Sequence, residues 1–452
     1  MVGCVGGQRT MRPTHAMLLR GSHPRSHLAT GCRAAESRGW LPCAPPPRGR
    51  RLDSGQPGFA RDSHVTMVTT DAGRVSGPLE GLVVADFTRI LAGPYATMLL
   101  ADLGATVIKV ESPSGDDTRT WQPPARDGEA TYYLGVNRNK YAIALNLKDP
   151  QDRETAHRIV AKADVFMENF RPGGLKQFGL DPENVGETYP HVVHASITGF
   201  GSRGGADMPG YDLLAQATSG FMSLTGEPDG DPQRGGVAIF DIMAGLHVAV
   251  GVLAALRQRE QTGRGQHIEV NLLSSALSGL ANQTSGFVGA GAVPFRMGND
   301  HPSLFPYGPF MCSDRHVVIC VGNDRQFALL ATALGVPELA DNEDYATMPA
   351  RNRNRDALRP LIEQQLARAT ADEWATRLRE VGLPASPILG VDEGVAFAES
   401  LGLEPVMTPV GKPDGVPTVR TPLWLSDAEP AYRKEPPGVD EDRDAILAWL
   451  KD

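Results

Sequence analysis

The candidate for covalent chemistry is a single aspartate at the start of a long apolar stretch. Asp241 lies in segment 237–256, VAIFDIMAGLHVAVGVLAAL. A carboxylate can act as a covalent nucleophile when it is ionised and faces an electrophile. The pattern predicts a strand end followed by a buried helix, whose N-terminus would hold the carboxylate ionised through the helix dipole. The alternative is an aspartate that only caps the helix, and position alone favours it.

Segment 237–256 also has the length of a membrane span. Asp241 and His247 lie inside it, and charged groups at the middle of a membrane are costly. We therefore interpret the segment as part of a protein core and predict no association with membrane.

Several common catalytic motifs are absent from the sequence. The loop after the first predicted strand, TRILAGP, lacks the glycine fingerprint of dinucleotide sites, which argues against a nicotinamide dehydrogenase. The sequence has no phosphate-binding G-x-x-x-x-G-K-[ST], no H-E-x-x-H and no G-x-S-x-G. Its five cysteines show no metal-ligand spacing, so we expect no metal site.

Strand-like and helix-like segments alternate from residue 79 onward. Apolar runs at 82–87, 105–111, 143–147, 165–169 and 191–198 are typical of buried parallel strands. Their alternation with helices predicts an α/β fold, a Rossmann-like doubly wound parallel sheet. Ligands of such sheets bind at the carboxyl ends of the strands.

The predicted domains follow from composition. We expect a large domain over 78–272 that carries the nucleophile, a linker over 273–295, a smaller α/β domain over 296–400, and a return segment over 401–452 that packs on the large domain.

A tail at 1–77 precedes the large domain. Residues 1–66 hold ten arginines and three acids, whereas the rest of the chain carries a net charge of −16. Such an acidic body argues against a nucleic-acid partner. We interpret the tail as upstream sequence before a start at Met67, which implies a cytoplasmic protein. The alternative is a transit peptide, which would place the protein in the mitochondrial matrix.

Eight sequence pieces occur in an order typical of one known family. They are DFTRILAGPYATMLLADLGATVIKVE (86–111), GDDTR (115–119), NRNK (137–140), ADVFMENFRPG (163–173), SITGFG (196–201), GYDLLAQATSG (210–220), GLHVAVGVLAAL (245–256), which follows Asp241, and TGRGQ (262–266). Residues 79–427 thereby resemble the class III CoA-transferases. Further pieces, such as QFALLATALGVPELADNEDY (326–345), resemble members that use dicarboxylates.

The resemblance implies that Asp241 is the nucleophile. Its carboxylate would form a mixed anhydride with the donor acyl group and then an aspartyl-CoA thioester. The implied donor is succinyl-CoA, and the implied acceptor is a dicarboxylate such as glutarate or 3-hydroxy-3-methylglutarate. Coenzyme A thioester would be a substrate, with no permanently bound cofactor. Family members form interlocked homodimers, so a homodimer is also implied.

The resemblance also assigns a CoA pocket and a mobile loop over the active site. The implied pocket residues are Arg89, Ile90, Ala92, Leu145, Asn169, Phe170, Arg171, Lys176, Phe178 and Tyr211, and the implied loop residues are Gly298, Asn299 and His301. The three cations would meet phosphates or a substrate carboxylate, or else be solvated surface charges. We take Arg89 as the residue that contacts the distal carboxylate. The loop could also be an ordinary connection between domains.

Some positions depart from known relatives. Leu91 stands where formyl-CoA transferase carries Gln, which argues against oxalate as the acceptor. Gln177 stands where some relatives carry Arg, which leaves the detailed phosphate contacts open.

Two rival functions stay open. The same fold hosts 2-methylacyl-CoA racemases, which pair the aspartate with a histidine as acid and base. Tyr211 stands at the position of that histidine, and a tyrosine does not take this role near neutral pH. The other rival is a non-catalytic CoA-binding protein, against which Asp241 and the loop at 295–302 argue.

Overall fold

The computed structural model describes residues 77–451. The predicted tail, 1–77, lies outside this range except for its last residue. Both interpretations of the tail therefore concern residues that the structure does not describe.

The described residues contain short and medium-length strands, numbered here in chain order. They are β1 Val83–Phe87, β2 Thr106–Glu111, β3 Ala125–Arg126, β4 Glu129–Ala130, β5 Lys140–Ala144, β6 Val165–Glu168, β7 Val193–Thr198, β8 His267–Asn271, β9 Tyr307–Met311, β10 His316–Cys320, β11 Ala385–Pro387, β12 Val406–Met407 and β13 Thr418–Val419.

Helices connect most of these strands. They are α1 Ala92–Asp102, α2 Thr131–Leu134, α3 Pro150–Lys162, α4 Pro182–Thr188, α5 Asp212–Thr218, α6 Phe221–Leu224, α7 Ile239–Thr262, α8 Leu272–Gly279, α9 Ala281–Ala290, α10 Asp324–Leu334, α11 Met348–Arg353, α12 Arg355–Leu366, α13 Ala371–Glu380, α14 Val391–Ser400 and α15 Arg443–Trp449.

The main sheet has six parallel strands in the order β5-β2-β1-β6-β7-β8. Its strands, counted in chain order, thus lie as 3-2-1-4-5-6, the arrangement of the Rossmann fold. The chain leaves β1 toward β2 and reaches β6 only after β5, so the strand order reverses between β1 and β6. The prediction of a parallel α/β sheet is confirmed, and the switch point lies at the carboxyl ends of β1 and β6.

Both faces of the sheet are buried, which explains the continuous apolar runs. On one face, residues such as Val84 and Val193 pack against α1 and α7. On the other face, residues such as Ala85, Ile108 and Phe166 pack against α3, α4 and α15. Alternate residues of each strand point to opposite faces, so a single strand contributes to both cores.

Helix α7 replaces the strand end that we predicted before Asp241. No strand occurs between residues 220 and 266 of the described chain, and α7 begins at Ile239. Asp241 is therefore the third helical residue, and Ala238 is the N-cap. By length and composition α7 could cross a membrane, a test that core helices of soluble proteins also pass. In this chain it packs on α1, since Gly245 fits directly against the carbonyl of Ala92.

A second hydrophobic cluster lies between residues 305 and 383. There, the antiparallel sheet β11-β10-β9 packs against α10, α12 and α13. The cluster lies within the range predicted for the smaller α/β domain, 296–400. The predicted linker, 273–295, is largely helical, because α8 and α9 occupy most of it. The domain boundaries themselves stay a prediction.

The C-terminal segment closes one edge of the main sheet. The backbone N–H groups of Ala142 and Ala144 on edge strand β5 donate to the carboxylates of Asp442 and Asp440, at 2.9 and 2.8 Å. Next to these contacts, α15 adds Ile446 to the hydrophobic cluster under the sheet. Side chains from the end of the chain thus pair the outer edge of β5.

Candidate active site

The loops after β1 and β6 meet at the switch point. The backbone N–H of Arg89 donates to Oδ1 of Asn169 at 3.0 Å, and Nδ2 of Asn169 donates to the carbonyl of Arg89 at 2.8 Å. Both residues belong to the predicted CoA pocket. The structure therefore brings the first two pocket segments together at the edge where ligands of this fold bind.

Ile90, in the loop after β1, has a left-handed backbone with φ of 73°. This conformation is costly for a β-branched residue, so the surroundings must hold it. Its N–H donates to the carboxylate of Asp116, with N–O distances of 3.2 and 3.3 Å. Nζ of Lys109 binds the same carboxylate at 3.0 Å and the carbonyl of Thr88 at 3.1 Å. A buried ion pair thus fixes the shape of this loop.

A second buried ion pair lies beneath the loop. Nζ of Lys140 lies 3.0 Å from Oδ2 of Asp86, and both side chains are fully buried. Thr97 also donates to Oδ2, at 2.6 Å. Burial by itself raises the pKa of Asp86, but Lys140, Lys109 and the threonine hydroxyls outweigh it, so the pKa lies below its ordinary value. This carboxylate is ionised and fully paired.

Asp241 lies beside the loop after β1. Ile90 and Leu91 share a hydrophobic cluster with Ala238, the N-cap of α7, and with Ile242, the residue after Asp241. The Asp241 side chain is half-buried. The predicted nucleophile and the predicted CoA loop are therefore neighbours, although they are far apart in sequence.

The electrostatics around Asp241 differ from our expectation. Burial, together with the nearby carboxylate of Asp212, raises the pKa of Asp241 to about 7. We predicted that the helix N-terminus would hold this group ionised, and that prediction is wrong because these two effects exceed the favourable effect of the helix dipole. The group titrates near neutral pH, as reactive carboxyls in functional sites often do.

Two residues of this site were missed at the sequence level. Asp212 belongs to GYDLLAQATSG, the piece in which only Tyr211 is an implied pocket residue. Burial raises the pKa of Tyr132 to about 12, and the nearby carboxylates of Asp241 and Asp212 contribute to this increase. Trp121 packs edge-on against the Tyr132 ring at 5.3 Å. No local spacing in the sequence indicates that these residues meet.

The other predicted pocket residues differ in their exposure. The Ala92 and Leu145 side chains are buried in the core, so contacts to a ligand would use their backbone. Phe178 is half-buried in a short 3₁₀ turn, and the exposed Tyr211 is the N-cap of α5. They stay predictions as CoA contacts.

The predicted cations lie on the surface. Arg89 forms an exposed ion pair with Asp117 at 3.1 Å. Arg171 and Lys176 are also exposed, and neither forms an ion pair with any residue in 77–451. Their charges are accessible to an anionic ligand.

A cavity of about 110 Å³ lies next to Arg171, at the carboxyl ends of β6 and β7 and beside β8. Phe170 forms part of its wall, and Glu168 and Ser196 lie among its polar lining residues. Burial raises the pKa of Glu168 to about 7, and its carboxyl accepts the N–H of Phe170 at 2.8 Å. Glu168 thus holds the start of the predicted CoA segment after β6.

The predicted loop over the active site contacts other parts of the chain. The N–H of Gly298 donates to the carbonyl of Gly226 at 3.2 Å. The carboxylate of Asp300 pairs with Arg359, while Arg355 donates to the carbonyl of His301 at 3.3 Å. Within 77–451, no hydrogen bond joins residues 295–302 to Asp241. One chain alone does not place this loop on the nucleophile.

Comparison with known protein families identifies the family of this chain. A family model described as CoA-transferase family III matches residues 79–443. The chain belongs to this family. The resemblance found in the sequence is thereby confirmed, and the protein is a CoA-transferase.

Relatives within CoA-transferase family III cover most of the chain. It is 40% identical to succinate–glutarate CoA-transferase from Agrobacterium fabrum, over 84% of this chain and 98% of the relative. It is 43% identical to human succinyl-CoA:glutarate CoA-transferase, over 69% and 72%. It is also 38% identical to acetyl-CoA:oxalate CoA-transferase from Acetobacter aceti, over 84% and 97%.

Solved structures of CoA-transferase relatives share this fold. A CAIB/BAIF family protein from Brucella suis is 43% identical, with a TM-score of 0.76 over 83% of this chain and 100% of that one. Rv3272 from Mycobacterium tuberculosis is 29% identical, with a TM-score of 0.75 over 83% and 100%.

Proposed function

We propose that this CoA-transferase moves CoA from succinyl-CoA to glutarate or a similar dicarboxylate. The substrate proposal is supported by relatives at 40% and 43% identity whose names give succinate or succinyl-CoA together with glutarate. The pieces that resemble succinate–hydroxymethylglutarate CoA-transferase point to the same substrate class.

The observation that supports the covalent mechanism is the placement of Asp241. Its carboxylate lies beside the loop after β1, and no lysine or arginine of the described chain forms an ion pair with it. A carboxylate bound to a cation would be a poorer nucleophile, because the cation stabilises its charge. Asp241 therefore remains available to attack a thioester.

The proposed reaction has four steps. The Asp241 carboxylate attacks the succinyl carbonyl, the C–S bond breaks, and CoA thiolate leaves a mixed anhydride. The thiolate then attacks the aspartyl carbonyl of that anhydride and releases succinate, which gives an aspartyl-CoA thioester. Glutarate attacks this thioester and releases the thiolate again, forming a second anhydride. Attack of the thiolate on the glutaryl carbonyl gives glutaryl-CoA and restores Asp241. One thioester is consumed and one is formed, so no ATP is required.

The CoA thioester would lie across the carboxyl ends of β5, β2, β1 and β6. These four neighbouring strands span roughly 14 Å, since adjacent strands lie about 4.8 Å apart. The accessible charges of Arg171 and Lys176 suit the nucleotide phosphates. Arg89 would bind the distal carboxylate of the acceptor, exchanging its exposed partner Asp117 for the substrate.

A homodimer fits the surface of α7 and α9. Val250 on α7 and Val288 on α9 are 66% and 76% exposed, and both belong to large apolar faces of this chain. Exposed apolar area of this extent favours burial against another protein surface. Light scattering should give twice the monomer mass. Val250→Glu should reduce that mass, whereas Val391→Glu, at another exposed valine on α14, should leave it unchanged.

The loop at 295–302 is proposed to exclude water from the anhydrides. Since one chain alone does not place it on Asp241, the loop would act either after movement or from the second subunit. We propose a cytoplasmic location, which cell fractionation of the full-length protein would test.

Mass spectrometry tests the function directly. Purified protein would be mixed with succinyl-CoA and a panel of carboxylic acids, with Asp241→Asn and Asp229→Asn, at an exposed loop aspartate, in parallel. We expect glutaryl-CoA from wild type and from Asp229→Asn and none from Asp241→Asn. If no acid accepts CoA but a 2-methylacyl-CoA exchanges its α-proton in deuterated water, the transferase proposal is wrong and the racemase replaces it.

A further inference from the structure

The segment that leads to Asp241 has little structure of its own. Residues 225–238, TGEPDGDPQRGGVA, connect α6 to α7 without a helix or strand. Glycines in such a segment lower the cost of many backbone conformations, so the sequence does not select one of them. The last residues before α7 must therefore be fixed by contacts from elsewhere.

The N-terminus of α7 lacks a cap from its own chain segment. A helix begins with N–H groups that have no partner inside the helix, and the N-cap residue, Ala238, has no side chain that could accept them. Instead, Oδ1 of Asp212 accepts the N–H of Phe240 at 2.8 Å and the N–H of Asp241 at 3.1 Å. A different helix, α5, thus supplies the cap.

Gln216 extends the same contact to the preceding residues. It lies one turn after Asp212 on the same face of α5 and donates to its carboxylate. Its Nε2 also donates to the carbonyl of Val237 at 3.2 Å, and its Oε1 accepts the N–H of Gly235 at 2.9 Å. Two side chains of α5 therefore hold four backbone groups between Gly235 and Asp241. Asp212 and Gln216 are 9% and 1% exposed, so water does not replace these contacts.

We propose that Asp212 is a positioning residue for Asp241, which it orients by capping the first turn of α7 with the support of Gln216. The inference rests on the proposed function, because it assigns the nucleophile to Asp241. In this role Asp212 acts through the backbone N–H groups of Phe240 and Asp241. Since a displacement of about 1 Å in a reacting group can cost roughly a hundredfold in rate, the cap bears directly on turnover.

The cap also brings a second negative charge to the nucleophile. Among residues 77–451, Asp212 from α5 and Tyr132 from α2 are titratable groups that interact electrostatically with Asp241. Two other helices contact α7 at least one turn beyond Asp241. Tyr95 of α1 lies near Gly245, and Ser275 of α8 forms a hydrogen bond with His247. An aspartate in this position both orients the nucleophile and favours its protonated form. A neutral cap would only orient it.

Asp212→Asn separates these two effects. The amide oxygen can still accept both N–H groups of α7, whereas the charge and the second oxygen that accepts from Gln216 are lost. We expect the acid limb of the pH profile of kcat/KM to move down by about one pH unit, because removal of a neighbouring like charge lowers the pKa of Asp241. Relative to its own plateau, the variant should be about fivefold more active than wild type at pH 6. In Asp212→Ala the N–H groups lose their acceptor, and kcat should fall about 100-fold.

The matched control is Asp149→Asn. Asp149 is the N-cap of α3 and accepts the N–H of Gln151 at 2.8 Å and of Asp152 at 3.2 Å, and no hydrogen bond within residues 77–451 joins it to Asp241 or Asp212. Its pH profile should equal that of wild type. Wild-type kcat in Asp212→Ala would overturn the positioning role, and an unshifted acid limb in Asp212→Asn would overturn the charge effect on Asp241.

Failure of this inference differs from failure of the proposed function. If Asp241→Asn still transfers CoA, the function proposal fails and Asp212 has no nucleophile to position. If Asp241→Asn is inactive while the Asp212 variants behave like wild type, the function stands and the cap is only structural. Thermal unfolding of Asp212→Asn would check that its pH profile is measured on folded protein.

Discussion

Two groups of buried or half-buried carboxyls lie close together in this protein, and they differ in their partners. Asp86 on β1 and Asp116 in the loop after β2 each bind a buried lysine, and their pKa values lie below the ordinary value even though burial opposes this. At the start of α7, Asp241 and Asp212 face each other without a cation, and the pKa of Asp241 rises to about 7. Paired carboxylates hold backbone in place, whereas the unpaired one is available for chemistry.

The largest expected effect comes from removing a lysine of the paired group. Lys140→Met leaves buried Asp86 without its ion-pair partner, so the free energy of unfolding should fall by about 3–5 kcal/mol, measured by urea denaturation. Arg257→Met, which breaks the exposed pair with Glu260, is the control and should change it by less than about 0.5 kcal/mol. Equal effects of the two variants would mean that the buried pair does not hold the fold together.

The second effect concerns the loop after β1. Asp116→Asn weakens the pairing of Lys109 and the anchor of the strained Ile90, so the KM for succinyl-CoA should rise about tenfold, or roughly 1.4 kcal/mol, with a smaller change in kcat. Thermal unfolding should check that Asp116→Asn is folded, with Asp117→Asn, at the exposed neighbour, as the control. A change in kcat alone would place Asp116 in the chemistry rather than in binding.

The two groups of carboxyls should also differ in the pH range over which they affect activity and stability. Only ionised Asp241 attacks, so kcat/KM should fall about tenfold per pH unit below about pH 7. The pKa of Asp86 is lowered in the folded state, so its contribution to stability is present above its unfolded pKa of about 3.9 and is lost as pH falls through the lower folded value. Between pH 7 and 5 activity should therefore fall while Asp86 continues to stabilise the fold. Loss of both over the same range would contradict the distinction.

The smallest effect on stability is expected at Arg89, whose pair with Asp117 is exposed. Arg89→Met should change the free energy of unfolding by less than about 0.5 kcal/mol. It should raise the KM for glutarate severalfold while leaving that for a monocarboxylic acceptor of similar length unchanged. An unchanged preference between the two acids would remove Arg89 as the group that binds the distal carboxylate.

The elements of the fold that depend on local pattern were predictable. The apolar run at 82–87 gives β1, and the repeated alternation with helices gives the parallel sheet. The start of α7 was mispredicted because a short apolar run such as residues 237–240 fits either a strand or a buried helix.

The candidate site was predictable only where motifs carry it. Asp241 and Asn169 follow from the family resemblance, but nothing in the sequence indicates that Asp212 caps a helix that begins 27 residues later. In the sequence, the lysines of the buried pairs cannot be distinguished from solvated surface lysines, because their partners come from neighbouring strands and loops. Such contacts depend on tertiary structure, and a single sequence does not encode them in local spacing.

The pairing of β5 with the C-terminal segment has a consequence for synthesis. The partners of Ala142 and Ala144 are about 300 residues away, at Asp442 and Asp440. At about 5–20 residues per second, the ribosome needs on the order of 15–60 s between making the strand and making its cover. During that time the nascent chain presents an open strand edge, the kind of surface that joins other chains. A premature stop shortly before Asp440 should therefore produce aggregates rather than a shortened enzyme.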